Sequence, residues 1–186
     1  MKKTLLGAVT AIVLSGALVV SLVLCEVMAR VFWPNWQEFS NIRFIQATFV
    51  PGYGTLYTGR PGFNGFFAQN DGDFRVRIRI NQAGLRNAAP VTRADRRIWV
   101  VGDSRSFGWG VARERSFTAI LARETGQGTY NVASPGSDVC GYQALVARMP
   151  DRLAPSAVVV GLVMENDIAD YRCPRGAGSR RKPSAD

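Results

Sequence analysis

Three short apolar stretches in the second half of the chain are each followed by small or polar residues that could take part in nucleophilic chemistry. The first precedes Asp103 and Ser104, the second belongs to the segment from Asn131 to Gly136, and the third precedes Asn166 and Asp167. A serine hydroxyl can attack a carbonyl carbon, and backbone N–H groups with an asparagine amide can stabilise the resulting oxyanion. These residue types therefore indicate a candidate acyl-transfer site, provided that the fold brings the three segments together.

The apolar pattern predicts the elements that would bring them together. Nearly continuous apolar runs at Arg97–Gly102, Thr129–Ala133 and Ser156–Val163 are typical of parallel strands buried on both faces. Helical spacing occurs between these runs, at Glu114–Thr125 and Val139–Met149. The alternation predicts an α/β fold whose parallel sheet has right-handed crossovers and binds ligands at the carboxyl ends of its strands.

Each predicted helix has one apolar face that we expect to cover the sheet. The residues on these two faces are Phe117, Ile120 and Leu121 in the first helix and Tyr142, Leu145 and Met149 in the second.

Upstream, the segment Phe74–Ile80 alternates apolar and basic residues, which predicts a strand with one buried face. Its basic face consists of Arg75, Arg77 and Arg79. A row of arginines could bind an anionic ligand, but the favoured interpretation is the solvated face of an edge strand.

Several of these segments resemble the SGNH hydrolases, also called the GDSL esterase/lipase family, and especially their membrane-anchored bacterial members. Val101–Ser104 followed by Phe107–Val111 is similar to the first sequence block of that family. Asn81–Arg86 is similar to an Asn-x-x-Gly-x-Arg element that often precedes this block. The resemblance extends from about Pro51 to Tyr171 and implies a three-layer, flavodoxin-like α/β fold with an SGNH-type parallel sheet, here partial.

The resemblance also implies site residues and a substrate class. Ser104 would be the nucleophile, and the oxyanion hole would consist of the N–H groups of Ser104 and Gly136 with the side chain of Asn166. Each such donor is worth about 3 kcal/mol of transition-state stabilisation. Asp103 and Asp167 would support the turns rather than react. The expected substrate is an acyl or acetyl ester on an envelope glycan or lipid, with no cofactor.

One departure from the family is decisive, because the sequence contains no histidine. The Asp-x-x-His block of the family is therefore absent, and Ser104 has no general base. By analogy with other serine hydrolases, such a loss costs about a millionfold in turnover, or roughly 8 kcal/mol. We expect an SGNH hydrolase interrupted before that block and inactive alone, unless a separate chain supplies the histidine. Arg105 and Met164 also differ from the family pattern but remove no proposed donor.

The N-terminal segment predicts a membrane anchor. No charged residue occurs from Leu5 to Cys25, and a helix of about 20 apolar residues crosses the roughly 30 Å core of a bilayer. Lys2 and Lys3 precede this run, so the positive-inside rule predicts a single-pass inner-membrane protein with a periplasmic C-terminal domain. The alternative is a signal peptide that is cleaved near Ala29, which would release the domain.

These predictions divide the chain into four parts: a cytoplasmic stub and anchor at 1–30, a stalk or lead-in at 31–73, a partial hydrolase-like domain at 74–172, and a disordered tail at 173–186. Cys140 and Cys173 both lie in the exported part, where oxidation is possible. A bridge between them would close a loop of about 33 residues and contribute about 3–4 kcal/mol. The cysteine spacing fits no zinc pattern, so no metal site is predicted.

The charge balance indicates which partners such a domain would bind. The chain has 23 Lys and Arg against 14 Asp and Glu, a formal net charge of +9. Long-range attraction favours anionic partners, and for an exported domain these are lipid headgroups or acidic glycans rather than nucleic acid. A non-catalytic binding module for acidic glycans is therefore the alternative function.

Overall fold

The computed structural model describes residues 2–33, 35–69, 73–164 and 173. It divides into two compact units, Met1–Gln37 and Glu38–Asp186. Asn166 and Asp167, together with most of the tail expected at 173–186, lie outside the described residues.

The first unit is dominated by helix α1, Lys2–Phe32. Its segment Gly7–Phe32 is long and apolar enough to cross a bilayer, although signal sequences near an N-terminus meet the same criteria. Apolar residues surround the helix on all sides, which is typical of a lipid-facing helix rather than of a helix on a soluble surface. The predicted N-terminal apolar helix is therefore confirmed as a candidate membrane span or signal sequence.

The second unit contains the predicted parallel sheet. Its strands are β5 (Ile98–Gly102), β6 (Thr129–Asn131) and β7 (Ala157–Gly161), in the order β6-β5-β7 and all parallel. The connecting helices are α3, Phe117–Thr125, and α4, Val139–Ala147. The mixed α/β class and the parallel sheet are confirmed. Every residue of β5 is buried, as expected for a central strand.

Helix α4 has the predicted inner face. Asp138 caps its N-terminus, because its carboxylate accepts a hydrogen bond of 2.7 Å from the N–H of Gly141. The predicted face joins the largest core cluster, whose buried members include Trp99, Val101, Tyr130, Val132, Tyr142, Ala144, Leu145 and Met149.

Helix α3 differs from the prediction. Phe117 is 44% exposed and Ile120 is 38% exposed, whereas Thr118 is buried. The helix contacts β6, which has only three residues, so a narrow strip is covered rather than the whole apolar face. The side-chain hydroxyl of Thr129 in β6 donates to the carbonyl of Thr118 at 2.9 Å, which directs this strip towards the sheet.

Strand β7 also differs, because it was expected to be buried on both faces. Val158 is 46% exposed and Val160 is 49% exposed. Both β6 and β7 are edge strands that pair with β5, but α3 also packs on β6, whereas no helix of the described residues packs extensively on β7. The prediction was wrong here because a continuous apolar run gives no information about the position of a strand within its sheet.

The second unit has two antiparallel hairpins besides the parallel sheet. Strand β1 (Ile45–Val50) pairs with β2 (Gly54–Gly59), and β3 (Asn64–Gln69) pairs with β4 (Phe74–Arg79). The strand predicted at 74–80 is confirmed, and its three arginines are exposed. It belongs to a separate two-stranded sheet, however, and does not extend the parallel one.

The segment 31–73 is more than the predicted stalk. Phe44 and Phe67 are buried with Phe107 in an aromatic cluster, and Leu56 is buried in the main core. Glycine at the ends of β2 and the adjacent phenylalanines of β3 conceal the period-2 pattern of these strands, so the sequence did not predict them.

Cys140 and Cys173, whose pairing the sequence left open, form a disulfide with a Cα–Cα distance of 5.2 Å. This bond joins the start of α4 to Cys173, which lies 12 residues after the end of β7 in the sequence.

Candidate active site

Ser104 begins a single helical turn directly after the central strand. Helix α2, Ser104–Phe107, follows β5, and Asp103 caps it by accepting a hydrogen bond of 2.9 Å from the N–H of Arg105. Asp103 is buried and Ser104 is half-buried. The other carboxylate oxygen of Asp103 lies 3.4 Å from Ser104 Oγ, at the outer limit of a hydrogen bond. Asp103 therefore holds the turn that presents Ser104.

Two glycines make room for this turn. A Cβ on Gly102 would lie 2.2 Å from Ser106 Oγ, and a Cβ on Gly161 of the neighbouring strand would lie 2.1 Å from the same atom. The Ser106 side chain thus occupies space that only glycine leaves open in both strands. This close approach brings α2 down onto the carboxyl ends of β5 and β7.

The segment that contains Gly136 leaves the sheet beside Ser104. Beyond β6 the parallel hydrogen bonding continues, from the N–H of Val132 to the carbonyl of Val100 at 2.8 Å and from the N–H of Ser134 to the carbonyl of Gly102 at 3.0 Å. Ser104 and Gly136 each follow that last bond by two residues, so both belong to the same edge of the sheet. Gly136 is exposed and has a φ of +73°, a conformation that favours glycine.

The third predicted cluster is described only in part. Gly161 pairs with Gly102, so β7 ends at the same edge as β5. Asn166, the predicted third oxyanion donor, and Asp167 lie beyond Met164 and outside the described residues. The structure therefore brings together the segments of Ser104 and Gly136.

Asn81 organises the loop before β5. Its Oδ1 accepts hydrogen bonds from the N–H groups of Ala83 at 3.0 Å and Leu85 at 3.1 Å. Its Nδ2 donates to the hydroxyl of Tyr130 at 2.7 Å, and so ties the loop to β6. Gly84 has a φ of +76°, and a Cβ there would lie 2.8 Å from the carbonyl oxygen of Gly59. The Asn-x-x-Gly-x-Arg element is thus a compact turn with a structural requirement for both asparagine and glycine.

Arg86, the last residue of that element, binds the loop that follows α2. Its guanidinium donates to the carbonyls of Phe107 at 3.1 Å and Val111 at 2.7 Å, and also to that of Gly108. Arg86 is 3% exposed, and this burial lowers its pKa to about 10, so it stays protonated at neutral pH. The sequence identified this residue through the resemblance but did not predict its role in positioning the nucleophile turn.

Asn131 connects the nucleophile turn to β6. Its Nδ2 donates to the carbonyls of Ser106 at 3.1 Å and Phe107 at 3.3 Å. Its backbone N–H and carbonyl are paired with the side chain of Asn87 at 3.1 and 2.8 Å. Sequence reasoning placed Asn131 within the second cluster without a role. An asparagine at the end of a predicted buried strand could have indicated this role, because a buried side-chain amide requires hydrogen-bond partners.

An open cleft of about 720 Å³ lies beside Gly136. Pro135, Tyr57, Trp109 and Arg60 are among its lining residues. The hydroxyl of Ser134 donates to the carbonyl of Tyr57, which attaches β2 to the Gly136 segment. The sequence does not predict this cleft, because it predicts a stalk or lead-in at 31–73. Its mixture of aromatic, guanidinium and amide groups is suited to a polar organic ligand.

Comparison of the chain with family models, with curated proteins and with solved structures finds no match. The fold and site define an α/β protein whose small parallel sheet carries a serine at the turn after its central strand. The resemblance to SGNH hydrolases rests on the motifs in the sequence, and the chemistry must be argued from the arrangement of the described residues.

Proposed function

We propose that the chain carries the nucleophile half of an SGNH-type serine ester hydrolase. The observation that carries this proposal is the hydrogen bond between the N–H of Ser134 and the carbonyl of Gly102, which sets the Ser104 and Gly136 segments side by side. Ser104 heads a helical turn, so its own N–H is free of the helix ladder and is a natural oxyanion donor. Gly136 can present its N–H without a side chain in the way.

Further support comes from the topology. The order β6-β5-β7 follows the chain as second, first and third strand, which is how the flavodoxin-like order 2-1-3-4-5 begins. In such sheets ligands bind outside the carboxyl ends of the strands, the edge at which Ser104 lies. A partial three-layer SGNH-type sheet accounts for both features.

The proposed reaction lacks a general base. Ser104 Oγ attacks the ester carbonyl, its proton passes to a base, and the alcohol leaves once that base has protonated it. Water, deprotonated by the same base, then attacks the acyl-serine, which releases the acid and restores Ser104. The chain has no histidine to accept that proton, and Asp103 uses one carboxylate oxygen as a helix cap while its other oxygen lies 3.4 Å from Ser104 Oγ, at the outer limit of a hydrogen bond. The chain alone should therefore be a hydrolase scaffold with little turnover, and a separate chain could supply the histidine.

The proposed substrate is an acyl or acetyl ester on an envelope glycan or lipid. The supporting features are the cleft, which Gly136 lines but Ser104 does not and which is large enough for a sugar unit, and the apolar helix α1. With α1 as an anchor, the domain would be periplasmic at the inner membrane; cleavage near Ala29 would release it.

The test is acylation of the full-length chain in detergent with p-nitrophenyl acetate, with and without imidazole as an external base. We expect an acetyl adduct at Ser104, located by peptide mass spectrometry, that forms at least about tenfold faster with imidazole. Without imidazole, turnover should equal that of Ser104→Ala. The Ser104→Ala variant in the same imidazole buffer corrects for uncatalysed acetylation.

Two results would contradict this proposal. If the adducts are spread over surface residues and unchanged in Ser104→Ala, the serine has no special reactivity. If turnover is rapid without imidazole and is lost in Ser104→Ala, a base is present and the claim of a missing one is wrong.

A second candidate function is a non-catalytic module that binds acidic glycans. Its support is Arg60 in the cleft and the exposed Arg77 and Arg79 of β4, whereas Arg75 is already paired with Glu38 at 2.6 Å. It predicts saturable binding of a uronic-acid oligosaccharide that weakens with salt and is unchanged in Ser104→Ala. Arg60→Gln should weaken that binding.

A further inference from the structure

A second, smaller cavity lies behind the nucleophile turn. It has a volume of about 70 Å³ and is lined by residues of the loop before β5, of α2, of the segment before α3, of α3 and of β6. Arg86, Arg113, Thr118 and Asn131 are among its lining residues. A cavity needs only about 10–15 Å³ to hold one water molecule, so this one has room for an ion with a water.

Two buried polar atoms in this cavity lack partners. Arg86 Nε and Thr118 Oγ1 have no hydrogen-bond partner among the described residues. Arg86 is 3% exposed and Thr118 is 7% exposed, so bulk water does not satisfy either atom. Buried donors without partners cost about 1–3 kcal/mol each, and more when the group is charged. Their presence on the wall of one polar cavity indicates an occupant that accepts hydrogen bonds.

The cavity also has an excess of positive charge. The partners of the Arg86 guanidinium are the carbonyls of Phe107, Gly108 and Val111, which carry no charge. Glu114 pairs with Arg113 at 3.3 Å on the exposed surface and also attracts Arg86 through space, which leaves two arginines against one carboxylate. The hydrogen bonds of Arg86 go to neutral carbonyls and its nearby carboxylate is shared with Arg113, so the buried guanidinium bears a desolvation cost that an anion in the cavity would offset.

We propose that this cavity binds one small monovalent inorganic anion, with chloride as the representative ion. The anion would accept hydrogen bonds from Arg86 Nε and Thr118 Oγ1 and balance the charge of Arg86. Because Arg86 holds the loop after α2 and Thr118 belongs to α3, the ion would tie α3 to the nucleophile turn. The site is independent of the proposed hydrolase chemistry.

The test compares thermal unfolding of the full-length chain in sodium chloride and in sodium gluconate at equal ionic strength. Gluconate is too large for the cavity and serves as the reference anion. We expect chloride at about 200 mM to raise the Tm by roughly 2–4 °C relative to gluconate. We also expect the ³⁵Cl NMR line of the wild type to broaden and to narrow again when bromide is added.

The matched variants are Thr118→Val and Thr58→Val. Thr118→Val removes the unpaired hydroxyl and should abolish the chloride-dependent shift in Tm. Thr58 is also a buried threonine, but it lies in β2 with Thr48 Oγ1 as its partner at 2.7 Å. The Thr58→Val variant should lower the Tm in both salts and keep the difference between them.

Equal Tm values in chloride and gluconate, together with an unbroadened ³⁵Cl line, would mean that the cavity holds water only. A full chloride shift in Thr118→Val would mean that the ion binds elsewhere. The wild-type NMR measurement decides the question even if Thr118→Val fails to fold.

Discussion

The two strands that flank β5 are both paired with it in parallel but have different surroundings. On one side, Tyr130 of β6 is 1% exposed and makes side-chain hydrogen bonds to the loop before β5. On the other side, Val160 of β7 is 49% exposed although its register partner, Val101, is 1% exposed. The nucleophile turn lies where a closely packed half of the sheet meets an open half.

This difference shows which contacts hold the candidate site. Arg86 and Asn131 fix α2 from the β6 side by hydrogen bonds to its carbonyls or to those of the loop behind it. On the β7 side, the side chain of Ser106 lies close to Gly161. The position of Ser104 should therefore depend strongly on residues of β5 and β6 and weakly on residues of β7.

The largest expected effect comes from Gly102→Ala compared with Gly161→Ala. A Cβ on Gly102 meets Ser106 Cβ at 2.6 Å and the backbone carbonyl of Gly161 at 2.7 Å, neither of which can move alone. A Cβ on Gly161 meets only Ser106 Oγ closely, and Ser106 Cβ is 3.4 Å away. We expect Gly102→Ala to cost about 3 kcal/mol or more and Gly161→Ala about 1–2 kcal/mol, measured by urea unfolding.

Ser106→Ala separates the two cases. Adding it to Gly161→Ala removes the clashing Oγ and should restore most of the lost stability. Adding it to Gly102→Ala leaves the backbone clash and should restore little. Equal rescue in both double variants would show that β7 is held as firmly as β5 and would contradict the comparison.

An intermediate effect is expected from Tyr130→Phe at alkaline pH. Burial, opposed by the hydrogen bond from Asn81 and the charge of Arg97, raises the pKa of Tyr130 to about 12. Because the folded-state pKa is raised above the usual value of about 10, this contribution to stability is complete below pH 10 and is lost between pH 10 and 12.

In that pH window the wild type should lose about 2–3 kcal/mol more than Tyr130→Phe. At neutral pH the variant should instead be less stable by about 1 kcal/mol, because the hydroxyl bonds to Asn81 and Ala89 are lost. Urea unfolding at a series of pH values measures both. Parallel curves for the two proteins would show that the Tyr130 hydroxyl titrates as readily in the folded state as in the unfolded one.

Much of the parallel half of the fold could be predicted from the sequence because its signals are local. The apolar run of β5 and the spacing of Tyr142 and Leu145 in α4 each specify an element and its buried face. Asp103 follows the strand as the helix cap, and Ser104 follows as the first residue of the helix. Ser104 could therefore be placed at a strand-to-helix turn before any contact was known.

The rest depends on which elements become neighbours. Phe117 and Val160 have the apolar character of core residues. Phe117 is exposed because β6 is short, and Val160 because no helix of the described residues packs extensively on β7. The roles of Arg86 and Asn131 depend on contacts with residues more than 20 positions away. No periodicity encodes such pairs. Of the two hairpins, the sequence predicts only β4, because the terminal glycines of β2 and the adjacent phenylalanines of β3 conceal the alternation of its neighbours.

The smallest expected effect tests the open half directly, with a matched pair of valines. Val101 and Val160 are register partners in β5 and β7. Val101→Thr places a hydroxyl where the side chain is 1% exposed and should cost about 2 kcal/mol, whereas Val160→Thr should stay within about 0.5 kcal/mol. Urea unfolding of both variants, with wild type as reference, measures the difference.

An exposed apolar edge strand also favours self-association, so Val160→Thr should lower the tendency of the chain to aggregate, as measured by light scattering. A cost for Val160→Thr as large as that for Val101→Thr would mean that β7 is covered in solution, and the contrast between the two flanks of β5 would disappear.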